Sequence, residues 1–212
     1  VLSFEPLADE LPTSQNLSLS GADNIVLFPI GLSDNKKTVD IYISPHAGGG
    51  ASTINASLAR VNSTKKKIAL DRGDALVGRQ DKISLIKVDV EGHEAFALLG
   101  LRECILRDRP VILFEWNNPE TRLGFESSQI FNSLLNNYHF VGIVGPLNRE
   151  LFKGRLQRAA AKLVKLFIRK DYALVRFDSS KNFGNVLAVP KETPLLEEFF
   201  ASREPALMAL HH

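Results

Sequence analysis

Three runs, residues 24–30 (NIVLFPI), 83–90 (ISLIKVDV) and 111–116 (VILFEW), are so nearly continuous in apolar residues that they read as strands buried on both faces. Helical patterns follow the last two. Residues 93–107 put Ala95, Phe96, Leu98, Leu99, Ile105 and Leu106 on one face, and residues 127–137 do the same with Ile130, Phe131, Leu134 and Leu135. Apolar strands alternating with amphipathic helices predict an α/β sandwich with a mostly parallel sheet. The rest of the chain fits that frame. Residues 1–4 form a short strand, Pro12 opens a helix that Gly21 ends, and residues 38–44 alternate like an antiparallel or edge strand. Residues 140–144 and 185–189 supply the closing strands, and residues 147–183 are expected to be a helical insertion within one domain spanning 1–212.

Composition removes several function classes. Lys and Arg number 26 against 24 Asp and Glu, a net charge of +2, too small to imply nucleic acid. A single cysteine, Cys104, excludes an internal disulfide framework and a cysteine-based zinc site, and fits a reducing, cytoplasmic compartment. No apolar run approaches the ~20 residues that cross a bilayer, and no basic-then-apolar leader opens the chain. It begins at Val1, already strand-like and without methionine, so an N-terminally truncated domain is expected.

Ligands of such sheets bind beyond the carboxyl ends of the strands. There the chain places Glu5, then Gly31-Leu32-Ser33, then Asp89-Val90-Glu91-Gly92-His93-Glu94, then Glu115-Trp116-Asn117-Asn118. A carboxylate at the position of Glu5 can accept hydrogen bonds from both hydroxyls of a ribose; a solvated strand-end residue is the plainer alternative. The period of a strand puts Asp89 and Glu91 on one side, and Gly92 permits a sharp turn. Glu94 falls in the first helical turn, where negative charge is favoured. His93 is either a general base or a solvent-facing residue at the helix start. The triple glycine 48–50 reads as a flexible loop, because it does not join a buried strand directly to a helix.

These residues match a family. Ser3-Phe4-Glu5-Pro6, Asn24-Ile25-Val26 through Gly31-Leu32-Ser33-Asp34, Leu70-Asp71, the run 83–94 continuing through Leu98-Leu99-Gly100, Pro110 to Glu115, and Asn185 to Pro190 resemble the FkbM-type methyltransferases. The strand carrying K-x-D-x-E-G-x-E is the most specific part. The resemblance implies a Rossmann-like class I methyltransferase sandwich that uses S-adenosylmethionine to methylate hydroxyl oxygens on sugars, glycolipids or polyketides. It implies that Glu5 holds the cofactor ribose, that Gly31, Leu32 and Ser33 lie beside the adenine, and that Asp89 and Glu91 lie near the methionine end and the acceptor. The family's first, central strand with its glycine-rich turn is absent from this sequence. A gap in the sheet between the strands ending at Glu5 and Asp89 is therefore expected, and two apolar strands left without that neighbour favour association into oligomers.

Methyl transfer to oxygen needs alignment of the reacting atoms and a group that takes the acceptor's proton. Glu91 is the first choice for that group and His93 the second, with Asp89 facing the positive cofactor. Glu115 and Asn117 suit a polyhydroxyl acceptor. The rival reading is a non-catalytic binding or scaffold module on the same fold. A nicotinamide-dependent dehydrogenase lacks its strand–GxGxxG–helix unit here. No metal site is indicated by the histidine spacing. Residues 149–170 carry eight Lys or Arg against one Glu, with Leu151, Phe152, Leu156, Leu163, Leu166 and Phe167 near helical spacing. Such a basic amphipathic helix is either a structural lid or a recruiter of an anionic small-molecule, glycan or lipid-linked acceptor, with peripheral contact to an acidic membrane.

Overall fold

The structure, a computed structural model, describes residues 1–8, 13–44, 52–55, 59, 62–79, 82–144 and 173–193. Its larger sheet contains β7 (Leu85–Val88), β8 (Val111–Glu115), β9 (Tyr138–Val144), β10 (Ala173–Arg176) and β11 (Asn185–Pro190), in the order β10-β9-β11-β8-β7. A second sheet has the order β3-β6-β4-β5, from β3 (Gly31–Leu32), β4 (Lys37–Ile43), β5 (Ser52–Thr53) and β6 (Thr64–Asp71). β1 (Leu2–Phe4) pairs in parallel with β2 (Val26–Phe28).

The mostly parallel sheet expected from sequence is corrected to a mixed one. β7 and β8 run parallel, but β11 inserts antiparallel between β8 and β9, and β10 is antiparallel to β9. In the second sheet β6 runs parallel to β3 and antiparallel to β4, and β4 is antiparallel to β5 as well. Apolar runs report burial, not strand direction, so β11 looked like its parallel neighbours. Residues 24–30 are also not one buried strand. The chain bends at Pro29-Ile30 between β2 and β3, and Val26 stays exposed.

β7 alternates: Ile86 and Val88 are buried while Leu85 and Lys87 are exposed. Among the described residues β7 pairs only with β8 and β1 only with β2, so the strands leading to Glu5 and Asp89 are not neighbours, as the sequence implied. The main core joins Ile86, Val88, Ile112 and Phe114 of the sheet to Ala97, Leu98 and Ile105 of the helices that cover it. Its aromatic centre stacks Phe114 on Phe125 at 4.9 Å and sets Trp116 edge-on to Phe125 at 5.2 Å, geometries that aromatic quadrupoles favour. The second sheet buries its own small cluster of Leu7, Ile41, Ile68 and Leu70.

The single helix expected over 93–107 is two, α3 (Glu94–Gly100) and α4 (Arg102–Asp108), following the short α2 (Gly73–Leu76). The break has a cause outside the segment. Asp74 of α2 accepts hydrogen bonds from the backbone N–H groups of Glu103 and Cys104, both at 3.0 Å, so α4 has its own capped start. The helix expected over 127–137 is likewise corrected. The real elements are α5 (Pro119–Ser127) and the single turn α6 (Ile130–Ser133). Asn118 caps α5, its side chain accepting from Glu120 N–H at 2.9 Å, with Pro119 in the first turn. α1 (Thr13–Ser20) ends at Gly21 with φ +65°, as expected. β10 falls within the segment expected to be a helical insertion, and residues 145–172, including the basic stretch, lie outside the described residues. So do His46 and the glycines 48–50.

Candidate active site

β7 ends at Val88, so Asp89 lies beyond the strand rather than within it. Its side chain is about half exposed and pairs with Lys87 at 2.8 Å. The chain then turns tightly. Glu91 adopts φ +53° and Gly92 φ +101°, both left-handed, so strand periodicity does not carry from Asp89 to Glu91. A Cβ on Gly92 would stand 2.6 Å from Glu120 Cβ, so close packing against α5 and backbone conformation both require glycine.

Glu94 holds this turn together. It is fully buried; Oε1 accepts from the N–H groups of Val90 at 3.1 Å and Gly92 at 3.3 Å, while Oε2 accepts from Thr121 Oγ1 at 2.6 Å. The helix-start role read from sequence is right, but the carboxylate also ties the turn to α5 through Thr121, a residue that sequence reasoning missed.

His93, at the start of α3, stacks on Phe96 with ring centroids 4.9 Å apart. Its Nε2 lies 3.0 Å from Ser33 Oγ, and that hydroxyl donates to Asp34 Oδ1 at 2.9 Å. Lys37 completes the group, its ammonium 3.1 Å from the same Asp34 oxygen. Burial, and secondarily the Lys37 charge, pushes the imidazole pKa down to about 4 against the opposing pull of Asp34. His93 is therefore neutral at pH 7. The contact exists because α3 lies directly on β3: a Cβ on Gly100 would fall 1.9 Å from Ser33 O.

A pocket of about 360 Å³ opens here, with Glu91, Gly92, His93, Phe96 and Glu120 in its wall and Ile54 and Leu123 adding apolar surface. Glu115 stands nearby at the end of β8. Burial, and next the charge of Glu91, raises its carboxyl pKa, while a hydrogen bond from Asn117 opposes the shift. Among the described residues its buried Oε2 has no hydrogen-bond partner. Asp89, Glu91, Glu94 and Glu115 thus share one electrostatic neighbourhood at the carboxyl ends of β7 and β8.

The remaining sequence candidates divide. Glu5 is half-buried; one carboxylate oxygen accepts from Leu7 N–H at 2.9 Å, and the other makes no hydrogen bond among the described residues. Gly31 is buried, with Leu70 Cδ2 occupying the space a side chain would need, and Ser33 is fully buried and committed to His93 and Asp34. Leu32 is half-buried against the main core. Glu120 and Thr121 escaped sequence reasoning because α5 was not recognised; Asn118 was placed at the strand end but not as a cap, although Asn118-Pro119 is a helix-start signature. Among the described residues no group of three or more His, Cys, Asp or Glu could hold a metal ion, and no helix is long and apolar enough to cross a membrane.

The family model described as the Methyltransferase FkbM domain matches residues 1–141, two thirds of the chain. The chain belongs to the FkbM methyltransferase family. The turn Asp89–Glu94, the buried Glu94 and the His93–Ser33 contact all lie inside the matched segment of this FkbM domain. A crystal structure of methyltransferase FkbM from Methylobacillus flagellatus KT is similar, with 22% identity, coverage of 66% of this chain and 32% of its own, and a TM-score of 0.45. The chain thus spans about a third of that protein. No match was found among curated proteins.

Proposed function

We propose that this chain acts within an S-adenosylmethionine-dependent O-methyltransferase whose acceptor is a hydroxyl on a sugar, glycolipid or polyketide-like molecule. The supporting observation is the pocket at the end of β7, where Glu91, His93 and Glu120 line a cavity with apolar walls. Carboxylates and a neutral imidazole accept hydrogen bonds, so the wall suits a ligand rich in O–H donors. Glu91 and His93 are the two groups there suited to take the acceptor's proton. Glu115 and Asn117, hydrogen-bonded to each other, orient further hydroxyls.

The cofactor residues fit in part. The free oxygen of Glu5 suits a ribose hydroxyl, and exposed Asp89 suits a positively charged centre. Protein packing already fills the surroundings of Gly31 and Ser33, which leaves Leu32 as the residue of that segment to meet an adenine. When bound, S-adenosylmethionine supplies an electrophilic methyl group on a sulfonium. Among the described residues β1 and β7 each keep an edge without a pairing strand, where a strand with a glycine-rich turn would complete the site. Residues 149–170 recruit an anionic acceptor or an acidic membrane surface in this cytoplasmic enzyme.

Calorimetry with S-adenosylmethionine tests the reading on this chain and on a longer form carrying such a strand. Tight binding by the longer form and weak binding by this chain are expected. Equal tight binding by both overturns the assignment of a completing strand, and no binding by either overturns the cofactor.

A further inference from the structure

Two groups in the pocket wall compete for the proton-accepting role, and the hydrogen bonds around them distinguish the two. The Asp34 carboxylate has no proton to give, and its pKa is held below the usual carboxylate range, the Ser33 and Lys37 hydrogen bonds outweighing its burial. The Ser33 hydroxyl has one proton, directed at Asp34 Oδ1. Ser33 Oγ can therefore only accept from His93, so Nε2 must carry the ring proton. In a neutral imidazole this makes Nδ1 the bare nitrogen, and it makes no hydrogen bond among the described residues. The ring is further fixed by its stack on Phe96. Glu91, by contrast, is exposed.

We propose that His93 Nδ1 is the atom that takes the proton from the acceptor hydroxyl, and that Ser33 and Asp34 are positioning residues that lock the ring in the Nε2–H tautomer. The proposal rests on the methyl-transfer reading above. It assigns Ser33, which the resemblance placed beside the adenine, to the imidazole instead. The acceptor oxygen forms its bond to the methyl carbon of the sulfonium donor as the carbon–sulfur bond breaks and that electron pair passes to sulfur. The hydroxyl proton moves to Nδ1, giving an imidazolium whose Nε2–H still points at Ser33, and then leaves to water. The charged groups around the ring are Asp34 from the β3–β4 turn, Lys37 from β4, Glu91 from the preceding turn and Glu120 from α5. Glu94 is turned away to Val90, Gly92 and Thr121.

Two measurements decide it. The first needs no turnover. In ¹⁵N-histidine-labelled protein, the His93 ring should show a protonated Nε2 and a bare Nδ1 from pH 8 down to about pH 5, and Ser33→Ala should release that tautomer. A protonated Nδ1 in the wild-type protein overturns the proposal. The second is the pH profile of methyl transfer in the full-length enzyme. His93→Gln, whose amide can still donate to Ser33, should lower kcat by ~10²–10⁴-fold with little change in KM for acceptor or cofactor. Lys37→Gln should move the acid limb of kcat upward in pH, because it removes a positive charge and frees Asp34. A limb that ignores Lys37→Gln, or turnover that survives His93→Gln and vanishes in Glu91→Gln, overturns the proposal and leaves methyl transfer standing. An enzyme that binds no sulfonium cofactor defeats the underlying reading, while the ring tautomer still reports on the lock.

Discussion

Replacing Glu94 by Gln changes one oxygen to an amide in a site that water does not reach, since both Glu94 and Thr121 are fully buried. Every contact can survive in form. The remaining oxygen keeps the N–H groups of Val90 and Gly92, and the Thr121 hydroxyl turns to accept instead of donate. What is lost is charge assistance. Hydrogen bonds to charged groups contribute ~1.5–3 kcal/mol and neutral ones about half as much. Three such bonds losing part of that value amount to about 2 kcal/mol, because losses within one network do not simply add. For a domain of this size that is a fall in Tm of roughly 4–8 °C.

Urea and thermal denaturation followed by far-ultraviolet circular dichroism measure this effect. Thr121→Val strands one carboxylate oxygen and should cost ~1–3 kcal/mol. The double variant should cost less than the two single changes together, with a coupling of at least ~0.5 kcal/mol. Activity should fall with Glu94→Gln as well, because the same carboxylate fixes the turn that carries Glu91. A Glu94→Gln protein melting within about 1 °C of wild type would refute the claim that this clamp sets the turn.

Glu91→Gly should raise stability by ~0.5–1 kcal/mol in urea melts, by relieving the left-handed φ of +53°, while reducing methyl transfer; a destabilised variant contradicts the strain argument. The depressed His93 pKa links stability to pH. The unfolded chain takes up this proton near pH 6.5 and the folded chain only near 4, so stability is full above 6.5 and declines as pH falls toward 4. Between pH 7 and 4 the wild type should lose about 3 kcal/mol more than His93→Gln, read from urea midpoints at each pH. Burial and the neighbouring Asp74 push the Cys104 thiol up to about 11. Native protein at pH 8 should therefore resist maleimide labelling that the unfolded chain accepts, as mass spectrometry would report.

The sequence was most informative where chain-local chemistry decides structure. The apolar runs at β7 and β8, the stop at Gly21 and the acidic strand ends needed no partner to be read. Direction and continuity were less legible, because both depend on distant contacts. β11 is antiparallel because of its place between β8 and β9, and its composition carries no sign of that. The break between α3 and α4 comes from Asp74, some thirty residues earlier. The pairing of Ser33 with His93 spans sixty residues and depends on Gly100 admitting the β3 backbone, which no local pattern announces. The α5 start was different. Asn118-Pro119 was readable, and the helical stripe further on drew the boundary too late.

The contact of Gly100 with Ser33 joins a helix of the larger sheet to the end of the first strand of the smaller one, and apart from Leu32, which packs on the main core, the smaller sheet keeps its own apolar cluster. The imidazole thus works as a gauge of assembly: its tautomer is set only when the two halves are seated at full depth. A protein whose sheets have each formed but have not closed together would keep most of its circular dichroism and lack an oriented base. Random substitutions that loosen this seam are then expected to appear in a screen as folded but inactive proteins. They would cluster at Gly100, Leu32 and the helix face between them, behind His93 rather than in the wall of the pocket.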